Sequence, residues 1–334
     1  MTPAQAGRGR GRVRVGETRH VPVMVEEVLG FLAPRPGGRY LDLTFGGGGH
    51  AREVLAREPR CQVVGVDRDG STLAAAAREL AQFGARLSTV QSRFDQAAVA
   101  AAASGLGSFD DAFDGVLADL GLSSLQLDDP ERGLSFERDA VLDMRMDRGV
   151  GETAAGFLGR VSEQELADLL FRLGDESRAR AIARAIVERR RHAPVRRTLE
   201  LADLVVRATG GRLQGRIHPA TRTFQALRMA VNDEIGCLER VLSQAPRWLK
   251  AGGALVVIAF HSGEDRVVKR SLRAAADAGV LELVTRKVVE PGAAEVATNP
   301  RSRSAKLRAA RRVGGEPAAR RTGAMTDERD ETNG

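Results

Sequence analysis

The sequence predicts an α/β protein built on a parallel sheet, with a helical subdomain inserted into it. Three observations carry that reading. Short apolar segments that read as strands alternate with helical ones through the first third of the chain. The first of them, Tyr40-Leu41-Asp42-Leu43-Thr44-Phe45, runs into four consecutive glycines, Gly46 to Gly49, which open onto a helix. More than 130 residues then separate the fourth such segment from the fifth, where a parallel crossover needs only about a dozen.

Composition sets the outer bounds. At 334 residues the chain holds two domains, or one with a large insertion, and 43% apolar residues can bury a substantial core. No window approaches a membrane span. Met1 to Arg19 alternates Gly with Arg and has no apolar stretch, so it is not read as a secretory signal. Cys61 and Cys237 lie far apart in apolar patterns, which predicts buried thiols in a reducing cytoplasm, with neither a disulfide nor a metal. The net charge of +7 is concentrated at the ends. Residues 1–19 carry five Arg against Glu17, and residues 299–334 carry nine Lys or Arg against five acids, so the middle is close to neutral. Such ends are either solvated, disordered tails or salt-sensitive grips on phosphates.

Taken in order, Val21 to Leu32 has the spacing of a short amphipathic helix before Pro34. Strand 1 and the glycine turn follow, then a helix over Ala51 to Arg57 and strand 2, Cys61 to Asp67. An alanine-rich helix from Ser71 to Phe83 has Ser71 as its candidate N-cap. Strand 3 is Leu87 to Val90, with Gln91 to Phe94 just past its carboxyl end; a helix over Gln96 to Ala103 leads to strand 4, Phe113 to Leu120. Ala254 to Phe260 is the fifth strand. Between these, Ser162-Glu163-Gln164-Glu165 is a capping box ahead of Leu166, Leu169, Leu170 and Leu173, and Gly174 ends that helix. Two further helices, Ala179 to Arg191 and Leu199 to Ala208, complete the subdomain, and His218-Pro219 opens one long amphipathic helix through Leu242. The insertion leaves from the carboxyl end of strand 4, the edge where open α/β sheets bind ligands, and should overhang the site.

The chemistry is read from strand ends. Glycines without a Cβ let the backbone turn sharply against a ligand, and Asp67, closing strand 2, suits the ribose hydroxyls of an adenosine-containing cofactor. His50 and Ala51 stand where a dinucleotide fingerprint would place its last glycine, so the turn alone leaves NAD and S-adenosylmethionine nearly level. Strand 4 separates them. Asp119 to Asp128 is a polar segment of the kind that orients an exocyclic amine and accepts its N–H bonds, a task of positioning and electrostatics. Hydride transfer would need a proton donor and a carbonyl-polarising group there instead.

These segments together resemble the bacterial 16S ribosomal RNA (cytosine-N4)-methyltransferases, the RsmH (MraW) family. The match is carried by His20-Val-Pro-Val-Met24, the Asp42 to His50 turn, Asp119-Leu-Gly-Leu-Ser-Ser-Leu-Gln-Leu-Asp128, Leu142 to Asp147, His218 to Arg228, Val231 to Glu234, Phe260 to Arg266 and Asn299 to Arg308. It runs from about residue 20 to 312; Met1 to Arg19 and the chain beyond Val313 fall outside it. The resemblance implies a Rossmann-like class I methyltransferase with S-adenosyl-L-methionine as cofactor and N4 of cytidine 1402 in 16S rRNA of the 30S subunit as target. It implies cofactor contacts at Gly48, Gly49, His50, Asp67, Phe94, Asp119 and Gln126. Physical chemistry agrees for most of them, with Phe94 packing on adenine, but would not have selected Gln126. Leu125 stands where the family usually has proline and Gly263 where it usually has leucine; losing proline loosens the catalytic loop.

The catalytic expectation falls on Asp119, Ser123, Ser124 and His261. The serines could equally close a turn, and His261 could bond substrate or merely order its loop with Glu264 and Asp265. Arg222 and Asn232, on the long helix, are candidates for RNA contact or for structural bonds. Arg301, Arg303, Lys306 and Arg308 are expected at phosphates, where arginine's fork matches the oxygens. The domain plan is a basic disordered tail over 1–19, a cofactor-binding core over 20–128 and 219–298, a helical insertion for substrate recognition over 129–218, and a basic segment over 299–334, disordered after about 313. The expected location is the cytoplasm, with no membrane partner; a homodimer is left open. Two other readings stand beside this one: a methyltransferase for a small-molecule or DNA amine, and an rRNA-binding assembly factor without catalysis.

Overall fold

The computed structural model describes residues 22–122, 126, 129–211 and 218–314. Its centre is a seven-stranded sheet in the order β3-β2-β1-β4-β5-β7-β6. The strands are β1 (Arg39–Asp42), β2 (Gln62–Asp67), β3 (Leu87–Gln91), β4 (Phe113–Asp119), β5 (Leu249–Ala259), β6 (Leu281–Leu283) and β7 (Lys306–Arg312). The first five run parallel, with Leu41 opposite both Val64 and Val116, and Val116 opposite Leu255. β7 is antiparallel to both its neighbours.

Side chains alternate across a strand, and the two faces of this sheet sort accordingly. Leu41, Val64, Val116, Leu255 and Val257 pack on one face with Leu238, Val241 and Leu242 of α10 (Glu234–Trp248) and Val268 and Leu272 of α11 (Ser262–Asp277). Tyr40, Val63, Leu117, Val256 and Ile258 pack on the other, against α1 (Val25–Leu32), α2 (Gly49–Arg57) and α3 (Gly70–Glu79). At about 1.5–3 kcal/mol for each fully buried aliphatic side chain, these two layers supply the main cohesion of the core. The short helix α4 (Ala97–Ala103) covers the first face beside β3. Cys61 and Cys237 are free and buried.

The insertion has a core of its own. Leu158, Leu166, Leu170, Ile182, Ile186, Leu201 and Val205, from α5 (Ala154–Arg160), α6 (Glu163–Gly174), α7 (Ala179–His192) and α8 (Thr198–Thr209), form a third cluster with Leu142 of the preceding loop. The capping box is present at α6: Ser162 Oγ accepts from Glu165 N, and Glu165 accepts from Ser162 N. Gly174 is the last residue of that helix, and Asp175 turns left-handed after it.

Several expectations are corrected. The long helix from His218 is two: α9 (Thr221–Val231) and α10, parted by Asn232 and by Asp233 at φ +49. α9 gives Phe224, Ala226 and Leu227 to the third cluster, so the insertion's core extends past residue 218 to Val231. The N-cap of α3 is Asp69, whose carboxylate accepts from Ser71 N and Thr72 N, and Ser71 is inside the helix. The first helix begins at Val25, not Val21. Residues 306–312, expected as part of a basic tail, form β7 within the sheet. The tail expected at 1–19, His20 and Val21, and the chain beyond 314 lie outside the described residues. Among the described residues no helix is long and apolar enough to cross a membrane.

Candidate active site

The carboxyl ends of β1, β2 and β4 meet at one edge, and short polar bonds fix how they leave the sheet. Asp42 ends β1 and accepts from Thr44 N at 3.1 Å. The Thr44 hydroxyl in turn accepts from Asp119 N at 2.6 Å, which ties the β1 turn to the end of β4. Asp67 ends β2, and its carboxylate accepts from Gly46 N (2.7 Å) and Asp69 N (2.9 Å). Each carboxylate oxygen has a second lone pair, so Asp67 keeps capacity for a ligand's hydroxyls.

Two glycines are demanded by packing. At Gly48, φ is +72 and a Cβ would stand 2.5 Å from the Leu80 side chain, so only glycine fits. At Gly65, in β2, a Cβ would stand 2.2 Å from the Phe45 ring, which packs against that backbone.

Beyond this edge opens a cleft at the carboxyl ends of the strands, where open α/β sheets bind ligands. Asp67, Phe94, Asp119 and Gln126 line it, with Arg301 at the rim. Asp119 Oδ1 is buried and has no hydrogen-bond partner among the described residues. A buried polar atom left unpaired is costly, which marks it as a place for a donor from outside the chain.

The insertion is fastened to this edge by a second network. Arg132 pairs with Asp69 at 2.6 Å and donates to Met146 O at 3.1 Å. Gln126 Nε2 donates to the same Asp69 carboxylate at 3.3 Å. Asn232 donates to Met144 O and accepts from Met146 N, both at 2.8 Å, and Arg68 donates to Asn232 O at 3.2 Å. On the far wall, Glu264 and Glu234 line the cleft, and Arg228 grips Glu234 through two 2.8 Å bonds.

Burial governs the electrostatics. It pushes Asp42 up to about 6; the charge of His50 and the Thr44 N–H pull against the rise, and Asp119 and Asp67 add to it. Burial also lifts Asp67, only partly offset by its two backbone bonds. For Asp69, burial is outweighed by bonds from Ser71 and Thr72 and by the charge of Arg132, so its carboxyl sits below the usual range. Glu264 likewise sits low, since His261, Phe260 N–H and Arg228 overcome its burial.

The sequence profile of the MraW methylase family matches residues 17–313. The chain belongs to that family. Among its relatives is ribosomal RNA small subunit methyltransferase H of Cyanothece sp. (strain PCC 7425 / ATCC 29141), 49% identical over 297 residues, covering 89% of this chain and 96% of the relative. The protein of the same name from Sorangium cellulosum (strain So ce56) is 49% identical over 300 residues, covering 90% and 93%. That from Geotalea uraniireducens (strain Rf4) is 45% identical over 316 residues, covering 90% and all of the relative.

In this methylase the structure brings Asp67, Phe94, Asp119 and Gln126 together in one cleft. Gly48 and Gly49 are not among the described residues that line it: their Cβ sides face Leu80 and Phe45, and Pro22, so any ligand contact there would be through backbone. His50 is buried beside Asp119, with Nε2 3.4 Å from Asp119 Oδ2. His261 caps α11, its Nδ1 accepting from Glu264 N at 3.3 Å, in keeping with a residue that orders its loop. Asn232 is buried and holds the 144–146 loop, so its amide is engaged away from solvent. Arg222 donates to Asp175 O at 2.7 Å and closes the end of α6. Arg308, expected at phosphates, instead forms a two-bond pair with Asp265 at 2.7 and 3.1 Å. Lys306 begins β7, and Arg303 is exposed. Ser123 and Ser124 lie outside the described residues.

Sequence reasoning missed Thr44, Met146, Glu234 and Glu264 in the lining or its support. All four sit in segments that carried the family resemblance, yet their spacing gives no chemical signal.

Proposed function

We propose that this methylase transfers the methyl group of S-adenosyl-L-methionine to N4 of cytidine 1402 in 16S rRNA, on the small ribosomal subunit in the cytoplasm. The observation that carries the reading is the buried Oδ1 of Asp119, without a partner among the described residues, in a cleft also lined by Asp67 and Phe94. Bound there, the cofactor supplies an electrophilic methyl group. Asp67 holds the ribose hydroxyls, the Phe94 ring packs on the adenine, and Gln126 closes the pocket from the insertion side. Asp119 Oδ1 accepts an N–H of the exocyclic amine and aims its lone pair, so that catalysis is chiefly orientation and charge placement.

Several features support an RNA substrate. The relatives share the name ribosomal RNA small subunit methyltransferase. The helical insertion, fastened to the cofactor edge through Arg132 and Asp69, stands where a macromolecule would meet the cleft. Arg301 at the rim and exposed Arg303 offer guanidinium forks to phosphates.

The test is transfer of tritium from labelled S-adenosylmethionine to 30S particles lacking the modification, followed by nucleoside analysis. Labelled N4-methylcytidine is expected. Label in protein alone, or in another nucleoside, would overturn the proposal.

A further inference from the structure

His50 occupies an unusual position. It lies in the first turn of α2, only 6% exposed, yet it is not among the described residues that line the cleft. Its Nε2 stands 3.4 Å from Asp119 Oδ2, and both that nitrogen and Asp119 Oδ1 are buried with no hydrogen-bond partner among the described residues. One carboxylate oxygen therefore faces the imidazole, and the other faces nothing the described chain provides.

We propose that His50 is a positioning residue for Asp119: its Nε2–H holds Oδ2 and leaves Oδ1 to the exocyclic amine of the target base. The inference rests on the role given to Asp119 above. A carboxylate held at one oxygen presents the other in a fixed direction, and a displacement of about 1 Å at a reacting centre can cost roughly 10²-fold in rate. The backbone side is already fixed, since Thr44 Oγ1 takes the Asp119 N–H. The 3.4 Å separation is loose, as catalytic bonds often are before substrate tightens them.

The surrounding charges favour the arrangement. The groups acting on His50 are Asp119 on β4, Asp42 on β1 and Glu53 on its own helix; Asp67 on β2 acts through Asp42. Burial opposes the imidazolium, but the carboxylates outweigh it and the pKa of His50 stands above its ordinary value. The charged pair is thus present below that pKa and lost as pH rises through it.

The test uses the full-length chain with His50→Ala and His50→Gln; glutamine keeps an N–H near the place of Nε2 but carries no charge. Cofactor affinity, kcat on 30S particles, the pH–rate profile and thermal unfolding are measured for each. His50→Ala is expected to lose about 10²-fold in kcat while cofactor Kd stays within about threefold. His50→Gln should keep most of kcat, because it keeps an N–H directed at Oδ2. An unchanged kcat in His50→Ala, or a loss led by cofactor affinity, would overturn the proposal. Should His50→Ala fail to fold, a loss of about 10²-fold in kcat for His50→Gln would overturn it. One readout is independent of the reaction: NMR titration of His50 in Asp119→Asn should show a lower imidazole pKa than in wild type, and an unshifted value contradicts the pairing. A wild type that binds cofactor but methylates no ribosomal RNA would count against the substrate, leaving the NMR result to decide His50.

Discussion

The Arg132 guanidinium lies 2.6 Å from the Asp69 carboxylate, with the two side chains only 8% and 5% exposed. This buried pair joins the first loop of the insertion to the N-terminus of α3, one residue beyond the turn that follows Asp67.

Breaking one side of such a pair leaves an uncompensated buried charge, which typically costs about 3–5 kcal/mol. Arg132→Met should destabilise the fold by that order in urea unfolding, and cofactor affinity should weaken, because Gln126 bonds the same carboxylate. The double variant with Asp69→Asn should recover much of the stability. A double-mutant cycle with no coupling would show that the pair does not fasten the insertion.

Asp42 predicts a pH dependence of stability. Its folded pKa is about 6 against an ordinary 3.8, so its stabilising contribution is complete below about 3.8 and lost as pH climbs through about 6. Asp42→Asn should therefore leave stability nearly unchanged at pH 4 and raise it near neutral pH. The gain is at most on the order of 3 kcal/mol, less whatever support His50 loses. Urea midpoints at the two pH values check this; a variant less stable than wild type at pH 7.5 but equal at pH 4 would reverse the sign.

The basic C-terminal segment divides into two kinds of arginine. Arg308 pairs with Asp265 and holds β7 to α11, whereas Arg303 is exposed. Arg303→Ala should lower the slope of log K for RNA against log salt by about 1 while melting as wild type does. Arg308→Ala should lower Tm and leave that slope unchanged. Equal slopes for all three proteins would remove Arg303 from the RNA interface.

The first four strands were legible because they are local: β1, β2 and β4 each carry an apolar stretch that ends on an acid, and Asp67 and Asp119 mark the ends that build the cleft. β7 was not legible. Lys306-Leu307-Arg308-Ala309-Ala310-Arg311-Arg312 reads as a basic run, and it becomes a strand because β5 offers an unpaired edge and Asp265 neutralises Arg308. The break between α9 and α10 was hidden for a similar reason. Its apolar spacing runs straight through, and the kink comes from Asn232 reaching across to Met144 and Met146. Asp69 outcompeted Ser71 as the cap because one carboxylate meets two backbone N–H groups and Arg132 at once. The meeting of Asp119 with Asp42 and His50 joins two segments far apart in sequence, and no periodicity announces it.

The central claim is that Asp119 acts on the amine of a ribosomal cytidine, and nucleoside mass spectrometry at position 1402 tests it most directly. Particles lacking the modification are incubated with S-adenosylmethionine and either wild-type enzyme or Asp119→Ala. The account predicts N4-methylation at cytidine 1402 by wild type and transfer slower by about 10²–10³-fold in the variant, which still binds cofactor. Full methylation by Asp119→Ala, or methylation at a different nucleotide by wild type, would contradict it.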